Sequence, residues 1–365
     1  MTTMSRSGRL GKAAASVPLV VLAVLATACT KSQSDGSSSS AGNASGGQQV
    51  VATGSNAGPA CTYTTYGAPK VDLSTATVGF SQSESTSNPF RATETQSITA
   101  EAQRLGVKLI QRNANADVNA QNSQIEDMIA QGAQVLIVAP ENSDGLGPAL
   151  AQAKAKHIPV LTIDRTAAGT ACSDFIGFLG SDFYHQAQIA ADDLIGATGG
   201  KANVAMLLGT SGNNVTTDRT KGFQDEIKAK GSGLTVVAQQ TANFDQTTGQ
   251  SVMEQLLQSN PNINAVYAEN DEMALGAIQA IRAAGKTPGQ DIKVVSIDGT
   301  QQAVQDVAQG LMVADVETNP RFGPLAFQAL KDFYSDKGTS TKVVIQDHHY
   351  TKDNAQQSLS SGTVY

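Results

Sequence analysis

The chain predicts an α/β protein built from two doubly wound parallel-sheet lobes. Strand-like and helix-like segments alternate from residue 71 onward. Strands begin about every thirty residues, the rhythm of βαβ units. They are too many for one comfortable sheet, which favours two lobes over one. Five of them run into strongly polar residues at their carboxyl ends, where open parallel sheets bind ligands.

The elements follow from local pattern. Residues 76–80 read as a strand, and 91–105 as a helix whose apolar stripe includes Ile98, Ala102 and Leu105. A strand over 107–110 precedes a helix over 118–131 that turns Ile125, Met128 and Ile129 inward and stops at Gly132. The strand 135–139, the helix 146–156 and the strand 159–163 follow. The rhythm repeats with strands at 175–179, 203–208 and 234–239, and helices at 183–195, 217–230 and 247–258. Residues 265–268 form a short buried strand. Met273, Ala274, Ala277, Ile278 and Ile281 then recur at helical spacing before Gly285. Asn270 and Asp271 sit at that strand-to-helix corner, where Asp271 also has a plain reading as an N-cap. A strand at 292–297, a helix from Gln302, a strand at 311–316 and a helix over 321–334 complete the body, and the tail from Thr339 includes the apolar piece 342–345.

Composition narrows the function. The 365 residues carry a net charge of −7 and no Trp. No basic patch stands out, which argues against a nucleic-acid partner. Arg6, Arg9 and Lys12 head an apolar run over 13–26 that is short for a bilayer span, and Thr27-Ala28-Cys29 follows. Leu25 to Cys29 resembles a bacterial lipoprotein signal, with Cys29 the lipidated residue after cleavage at 28. The large apolar residue stands four positions before Cys29, one more than usual. An ordinary secretory signal or a transmembrane anchor are the alternatives. Residues 32–58 are rich in Ser, Gly, Asn and Gln and read as a flexible tether. The two remaining cysteines, Cys61 and Cys172, read as a disulfide in an exported chain, against the alternative of two free thiols.

The polar strand ends are Ser81 to Arg91, Asp164-Arg165, Asp218-Arg219, Glu269-Asn270 and Asp298-Gly299. Carboxylates accept from neighbouring hydroxyls, and the guanidinium fork donates to adjacent oxygens. Phe90 and Phe244, read as loop residues, offer rings for the C–H face of a sugar. Each residue also has a structural reading: a cap, a surface ion pair or core. Nothing matches a nucleophile elbow or a phosphate cradle, and Gly209-Thr-Ser-Gly212 lacks the following Lys of a P-loop. Asp164 with Asp298 has no glycosidase spacing signature. The pair His348-His349 lacks ligand-spaced partners beyond Asp347, so neither a metal nor a cofactor is expected.

The pieces Val78-Gly-Phe-Ser81, Asn88-Pro-Phe-Arg91, Ile158 to Arg165, Asp218-Arg219 with Gly222-Phe223, Asn243-Phe-Asp245, Asn270 to Gly276 and Ser296 to Gly299 stand in order over most of the body. In this the chain resembles periplasmic-type sugar-binding proteins of the ribose/galactose cluster, the substrate-binding components of ABC importers. The resemblance implies the type I periplasmic binding protein fold, two lobes joined by a three-crossing hinge. Carried over by position, Asn88, Phe90, Asp164 and Arg165 bind ligand from the first lobe. Arg219, Phe244 and Asn270 close from the second, and Asp298 sits near the hinge. The crossings are expected near 172–178, 298–300 and 316–320, with the tail after about 344 passing back. Two departures matter. Arg91 stands where ribose binders carry a second Phe, and Ala139 replaces an Asn. Arg91, Phe80-Ser-Gln82, Tyr267 and Asp298 instead resemble the galactofuranose-type branch, which places an acid shortly before its Arg. Glu84 is the candidate here, one residue further away than usual.

The expected organisation is a signal over 1–28, a tether and arm over 29–70, a first lobe of 71–176 with 318–344, and a second of 177–317 with 345–365. The expected protein is a lipid-anchored monomer on the extracytoplasmic face of the cell membrane. It is not an enzyme, and its partners are a monosaccharide and an ABC permease. A sensory receptor and an exported sugar-processing enzyme are the rivals. A transcription regulator of this fold would need a DNA-binding segment where the signal and tether lie.

Overall fold

The computed structural model describes residues 52–53 and 58–365. Cys29, the signal and most of the tether lie outside these residues. The described chain opens with β1 (Ala52–Thr53), β2 (Ala60–Cys61) and α1 (Tyr63–Tyr66). Alternation then begins with β3 (Thr77–Gln82), α2 (Pro89–Leu105), β4 (Lys108–Asn113), α3 (Val118–Ala130), β5 (Val135–Val138), α4 (Gly147–Ala155), β6 (Val160–Ile163) and β7 (Gly177–Gly180). It continues with α5 (Phe183–Ala197), β8 (Lys201–Leu208), α6 (Asn214–Ala229), β9 (Gly233–Thr241), α7 (Gln246–Ser259), β10 (Ala265–Ala268), α8 (Asp271–Ala283), β11 (Lys293–Asp298), α9 (Gln301–Gln309) and β12 (Ala314–Glu317). The chain ends with α10 (Gly323–Phe333), β13 (Thr339–Ser340), β14 (Lys342–Ile345), β15 (His349–Thr351) and α11 (Ala355–Ser361).

Two sheets organise these elements. The first has the order β1-β14-β7-β6-β5-β3-β4 and the second β15-β12-β11-β10-β8-β9, while β13 and β2 form a small ribbon. Within the two sheets pairing is parallel except where β1 meets β14 and β15 meets β12, and the β13–β2 ribbon is antiparallel. The central strands β5, β6 and β10 are buried throughout, as a sheet covered by helices on both faces requires. The first lobe's core joins Val78, Phe80, Ile137 and Leu179 to Phe322, Phe327 and Phe333. In the second, Leu207, Val266, Ile278 and Val294 pack on one face of the sheet. Leu194, Val204 and the stacked rings of Phe223 and Tyr267, 4.1 Å apart, pack on the other.

Helix starts are set where the site will lie. Pro89 fits the first turn of α2, and the Asn88 carboxamide oxygen accepts from Phe90 N and Arg91 N. At α8 the cap is Asn270, accepting from Met273 N, and Asp271 stands one residue inside. Gly276 lets α7 and α8 touch, since a Cβ there would lie 2.2 Å from the Gln246 carbonyl oxygen.

Among the described residues the chain passes between the lobes three times; the crossing expected at 316–320 and the return of the tail after about 344 are observed, while those expected at 172–178 and 298–300 are not. Residues 177–180 belong to the first sheet, because β7 hydrogen-bonds between β6 and β14. The first crossing therefore falls at 181–182. Residues 298–300 are no crossing, because β11 runs straight into α9 within the second lobe. The second crossing leaves β12 and reaches Phe322 in the first-lobe core, and the third joins β14 to β15 over 346–348. Hydrogen-bond partners at a sheet edge decide this, and apolar patterning does not report them. The short pieces β1, β2, α1, β13, β15 and α11 also lie outside the sequence expectation. No helix among the described residues is long and apolar enough to cross a membrane.

Cys61 and Cys172 are joined, with Cα atoms 5.5 Å apart and a sequence separation of 111. The bond ties the arm to the loop after β6. Closing so long a loop restricts the unfolded chain. We expect Cys61→Ser with Cys172→Ser to lower the unfolding free energy by about 2–4 kcal/mol. Urea titration with and without reductant checks this, and identical midpoints would refute it.

Candidate functional site

Ten residues singled out in the sequence line one cavity between the lobes. Glu84, Asn88, Phe90, Arg91, Asp164 and Arg165 come from the first lobe, and Arg219, Phe244, Asn270 and Asp298 from the second. Val215, in the first turn of α6, completes the lining. The space between the lining atoms, open solvent at its mouth included, is about 310 Å³. Its lips meet: Thr166 N donates to Asn214 Oδ1 at 3.0 Å, and Ser143 N to the Gly212 carbonyl at 2.9 Å. This is a closed arrangement of the lobes.

The first-lobe wall is a network of buried charges. Arg91 Nε lies 2.9 Å from Glu84 Oε2, and its Nη1 lies 2.8 Å from Glu94 Oε2 and 2.7 Å from Asp164 Oδ2. Arg165 reaches Glu84 Oε1 at 2.7 Å and Glu141 Oε2 at 3.3 Å. Glu84 thus bridges both arginines. The turn closed by Asn88 N on the Ser85 carbonyl, 3.2 Å, lies between Glu84 and Arg91 and accommodates the extra residue. Burial alone would raise the Glu84 carboxyl, but Arg165 and then Arg91 outweigh it and hold the group at about 2.

The second-lobe wall centres on Arg219. Its Nη2 donates to Asp298 Oδ1 at 2.9 Å and Thr318 Oγ1 at 2.6 Å, and its Nη1 donates to the Glu269 carbonyl. Phe244 adopts a left-handed backbone at φ +57° and carries its ring into the cavity. Gly209 makes room for it, since a Cβ there would fall 1.9 Å from the ring. The ring stands 5.7 Å from the Arg165 guanidinium across the cleft. The Asn270 amide donates to the Phe244 carbonyl at 3.4 Å while its oxygen caps α8.

Several plain readings give way to geometry. Phe90 is not a loop residue but stands in the first turn of α2, edge-on to Phe322 at 6.4 Å, where its plain reading as a core residue holds beside its place in the cavity lining. Asp271 is not the cap of α8. It accepts from Ser296 Oγ at 2.5 Å and Thr300 N at 2.7 Å, tying the helix start to the end of β11. Asp298 does not cap the next helix, which Thr300 does. His348 and His349 are paired with Glu317 and Asp193 at 2.9 and 2.7 Å. Sequence reading missed Glu94, Glu141, Gln186, Thr318 and Val215. Glu94 stands one helical turn after Arg91, a visible i,i+3 pairing. Glu141 lies at the carboxyl end of β5, a signal of the kind used elsewhere.

Burial pushes the carboxyls of Glu94, Glu141, Glu269 and Asp298 up to about 7, against the pull of Arg91, Arg165 and Arg219. Folded values above the unfolded ones mean that the native state holds protons more tightly, so stability is lost as pH rises from about 4 through 7. Glu84 acts oppositely: its contribution is present above about 4.5 and is lost as pH falls toward 2. We therefore expect the ligand-free melting temperature to peak near pH 5 and to fall toward pH 8. A calorimetric series in matched buffers checks this, and a melting temperature that climbs from pH 5 to 8 would contradict it.

A family model described as a periplasmic binding protein domain matches residues 78–337. The ribose import binding protein of Bacillus subtilis is 37% identical over 262 residues, 72% of this chain and 82% of that one. The galactofuranose-binding protein of Escherichia coli is 34% identical over 288 residues, 78% of this chain and 90% of that one. Among solved structures, the binding protein of the arabinose ABC transporter from Shewanella, bound to α- and β-L-arabinofuranose, superposes with a TM-score of 0.75 at 33% identity. It covers 79% of this chain and 95% of its own. With the two sheets, the three crossings and the cleft between them, these matches place the chain in the periplasmic binding protein family.

Proposed function

We propose that this protein is the extracytoplasmic substrate-binding component of an ABC importer, capturing an uncharged monosaccharide between two closing lobes. The observation that carries the reading is the convergence of three buried guanidinium groups from both lobes on one cavity, each already paired with a carboxyl group of its own lobe. Such a site has no surplus positive charge for a sugar acid or phosphate. It offers donors and acceptors in alternation, which is what vicinal hydroxyls require. The buried Nε atoms of Arg165 and Arg219 have no hydrogen-bond acceptor in the protein, and bound hydroxyls would satisfy them. The ligand of this reading is a pentose or hexose, furanose forms included, because the lining pairs guanidinium, carboxyl and amide groups with the rings of Phe90 and Phe244.

In this reading Arg91, Asp164, Arg165 and Glu84 hold one edge of the sugar, with Asn88 fixing the helix start that aims Arg91. Arg219, Asn270 and Asp298 hold the other edge. Phe90 and Phe244 cover its apolar faces. The names of the relatives support a ribose-sized or furanose ligand, and Arg91 in place of an aromatic ring favours the more polar furanose type. The ligand is released unchanged to a permease. The protein works as a monomer held at the membrane by a lipid on Cys29, with the Ser- and Gly-rich tether between lipid and body. Cys61 and Cys172 anchor the arm on the first lobe, which leaves the second lobe free to swing.

Two outcomes test this. In a thermal-shift screen of pentoses and hexoses, a neutral sugar at about a hundred times its Kd should add about 2.7 kcal/mol of stability, and the matching sugar phosphate should add none. Arg219→Lys keeps a charge beside Asp298 but loses the fork, so the ligand-free protein should fold while affinity drops about 10- to 150-fold. Full retention of affinity, or a preference for the phosphate, would sink the reading. For the anchor, Cys29→Ser should abolish incorporation of labelled fatty acid into the protein, and unchanged labelling would exclude Cys29 as its site.

A further inference from the structure

Behind the cavity, Tyr365 touches both lobes at once. The segment leaves α11, which packs on α9 in the second lobe, and its last ring joins the first-lobe core. The ring stands edge-on to Phe90, with centroids 6.3 Å apart, and the Arg321 guanidinium lies 5.7 Å from its centre. Its hydroxyl donates to the Asp298 carbonyl oxygen at 2.9 Å, and its own carbonyl accepts from Gln301 N at 2.6 Å. Phe90 and Asp298 are both cavity-lining residues, one from each lobe.

What Tyr365 touches needs support. Asp298 has φ +148°, a backbone setting that L-residues rarely adopt and that persists only where its surroundings hold it. The hydroxyl sits among the carboxyls of Asp298, Asp271, Asp315 and Glu317, so burial and then these charges keep it protonated well beyond the usual tyrosine range. It is therefore a permanent donor to the Asp298 peptide. Phe90 has Phe322 on one side and Tyr365 on another, so removing the tyrosine opens space behind the ring.

We propose that Tyr365 is a positioning residue for the ligand site. It fixes the Phe90 ring and the Asp298 peptide relative to each other and so sets the width of the closed cleft. The proposal rests on the sugar-binding reading for its effect on affinity, but its effect on lobe spacing stands without a ligand. Tyr365→Phe keeps the ring and deletes the hydroxyl, Tyr365→Ala deletes both, and Gln356→Ala on the exposed side of α11 is the control. Affinity for the sugar found in the screen should fall about three- to tenfold in Tyr365→Phe, the worth of one net hydrogen bond, and further in Tyr365→Ala. The control should bind like the wild type. In small-angle scattering, ligand-free Tyr365→Ala should show a larger radius of gyration than wild type. A lower melting temperature with unchanged affinity would make Tyr365 merely structural and overturn the proposal, as would an equal loss in the control. If the wild type binds no sugar, the sugar reading fails and scattering alone decides. A widened ligand-free Tyr365→Ala then upholds the brace, and an unchanged radius overturns it.

Discussion

Three arginine side chains are buried in the walls of the cleft, and much of the surrounding structure keeps their charges compensated. An unpaired buried charge would cost several kcal/mol, so each must be met inside the protein. Arg91 meets three carboxylates and shares one of them, Glu84, with Arg165. Arg219 is met by Asp298, Thr318, Gln186 and the Glu269 carbonyl. The partners divide by lobe. Arg91 and Arg165 are compensated within the first lobe, and Arg219 within the second and the adjoining crossing. Each arginine finds its partners within its own wall or the adjoining crossing. The lobes can therefore part by breaking the lip bonds of Thr166 and Ser143 without stranding a charge, which suits a receptor that must open and close.

The network also explains why strand ends carry the site. The carboxyl end of a parallel strand is where backbone turns toward a helix start, and unusual dihedrals gather there. Asp164 at φ +59°, Phe244 at φ +57° and Asp298 at φ +148° all lie on such corners. Helix caps are built from the same residues: Asn88 and Asn270 each fix a helix N-terminus and line the cavity. Capping and ligand contact are thus not rival roles here. The first orients the side chain that the second would use.

Much of this was legible in the residues. The strand and helix rhythm reports burial, which apolar spacing encodes directly, so the long elements and the two-lobe body could be read. The polar strand ends reported the site because Asp-Arg, Glu-Asn and Asp-Gly pairs are out of place in a buried sheet. The first crossing was displaced because Gly177–Gly180 reads alike whether it starts the second lobe or ends the first. Only its bonding to β6 and β14 decides. Glu84 could be named but not placed, since a turn over 85–88 has no periodicity to reveal its reach. Tyr365 could not be found at all. Its role depends on the path of the segment after α11 back to Phe90, and no local pattern encodes that meeting.

The two walls acting as one binding site is the central claim, and a crystal structure of the protein with the sugar from the screen tests it most directly. The ring should lie between Phe90 and Phe244. Its oxygens should fall within about 3 Å of Arg91, Asp164 or Arg165 on one side and of Arg219 or Asn270 on the other. A sugar bound outside the cleft, or held by one lobe with the opposite arginines untouched, would contradict it.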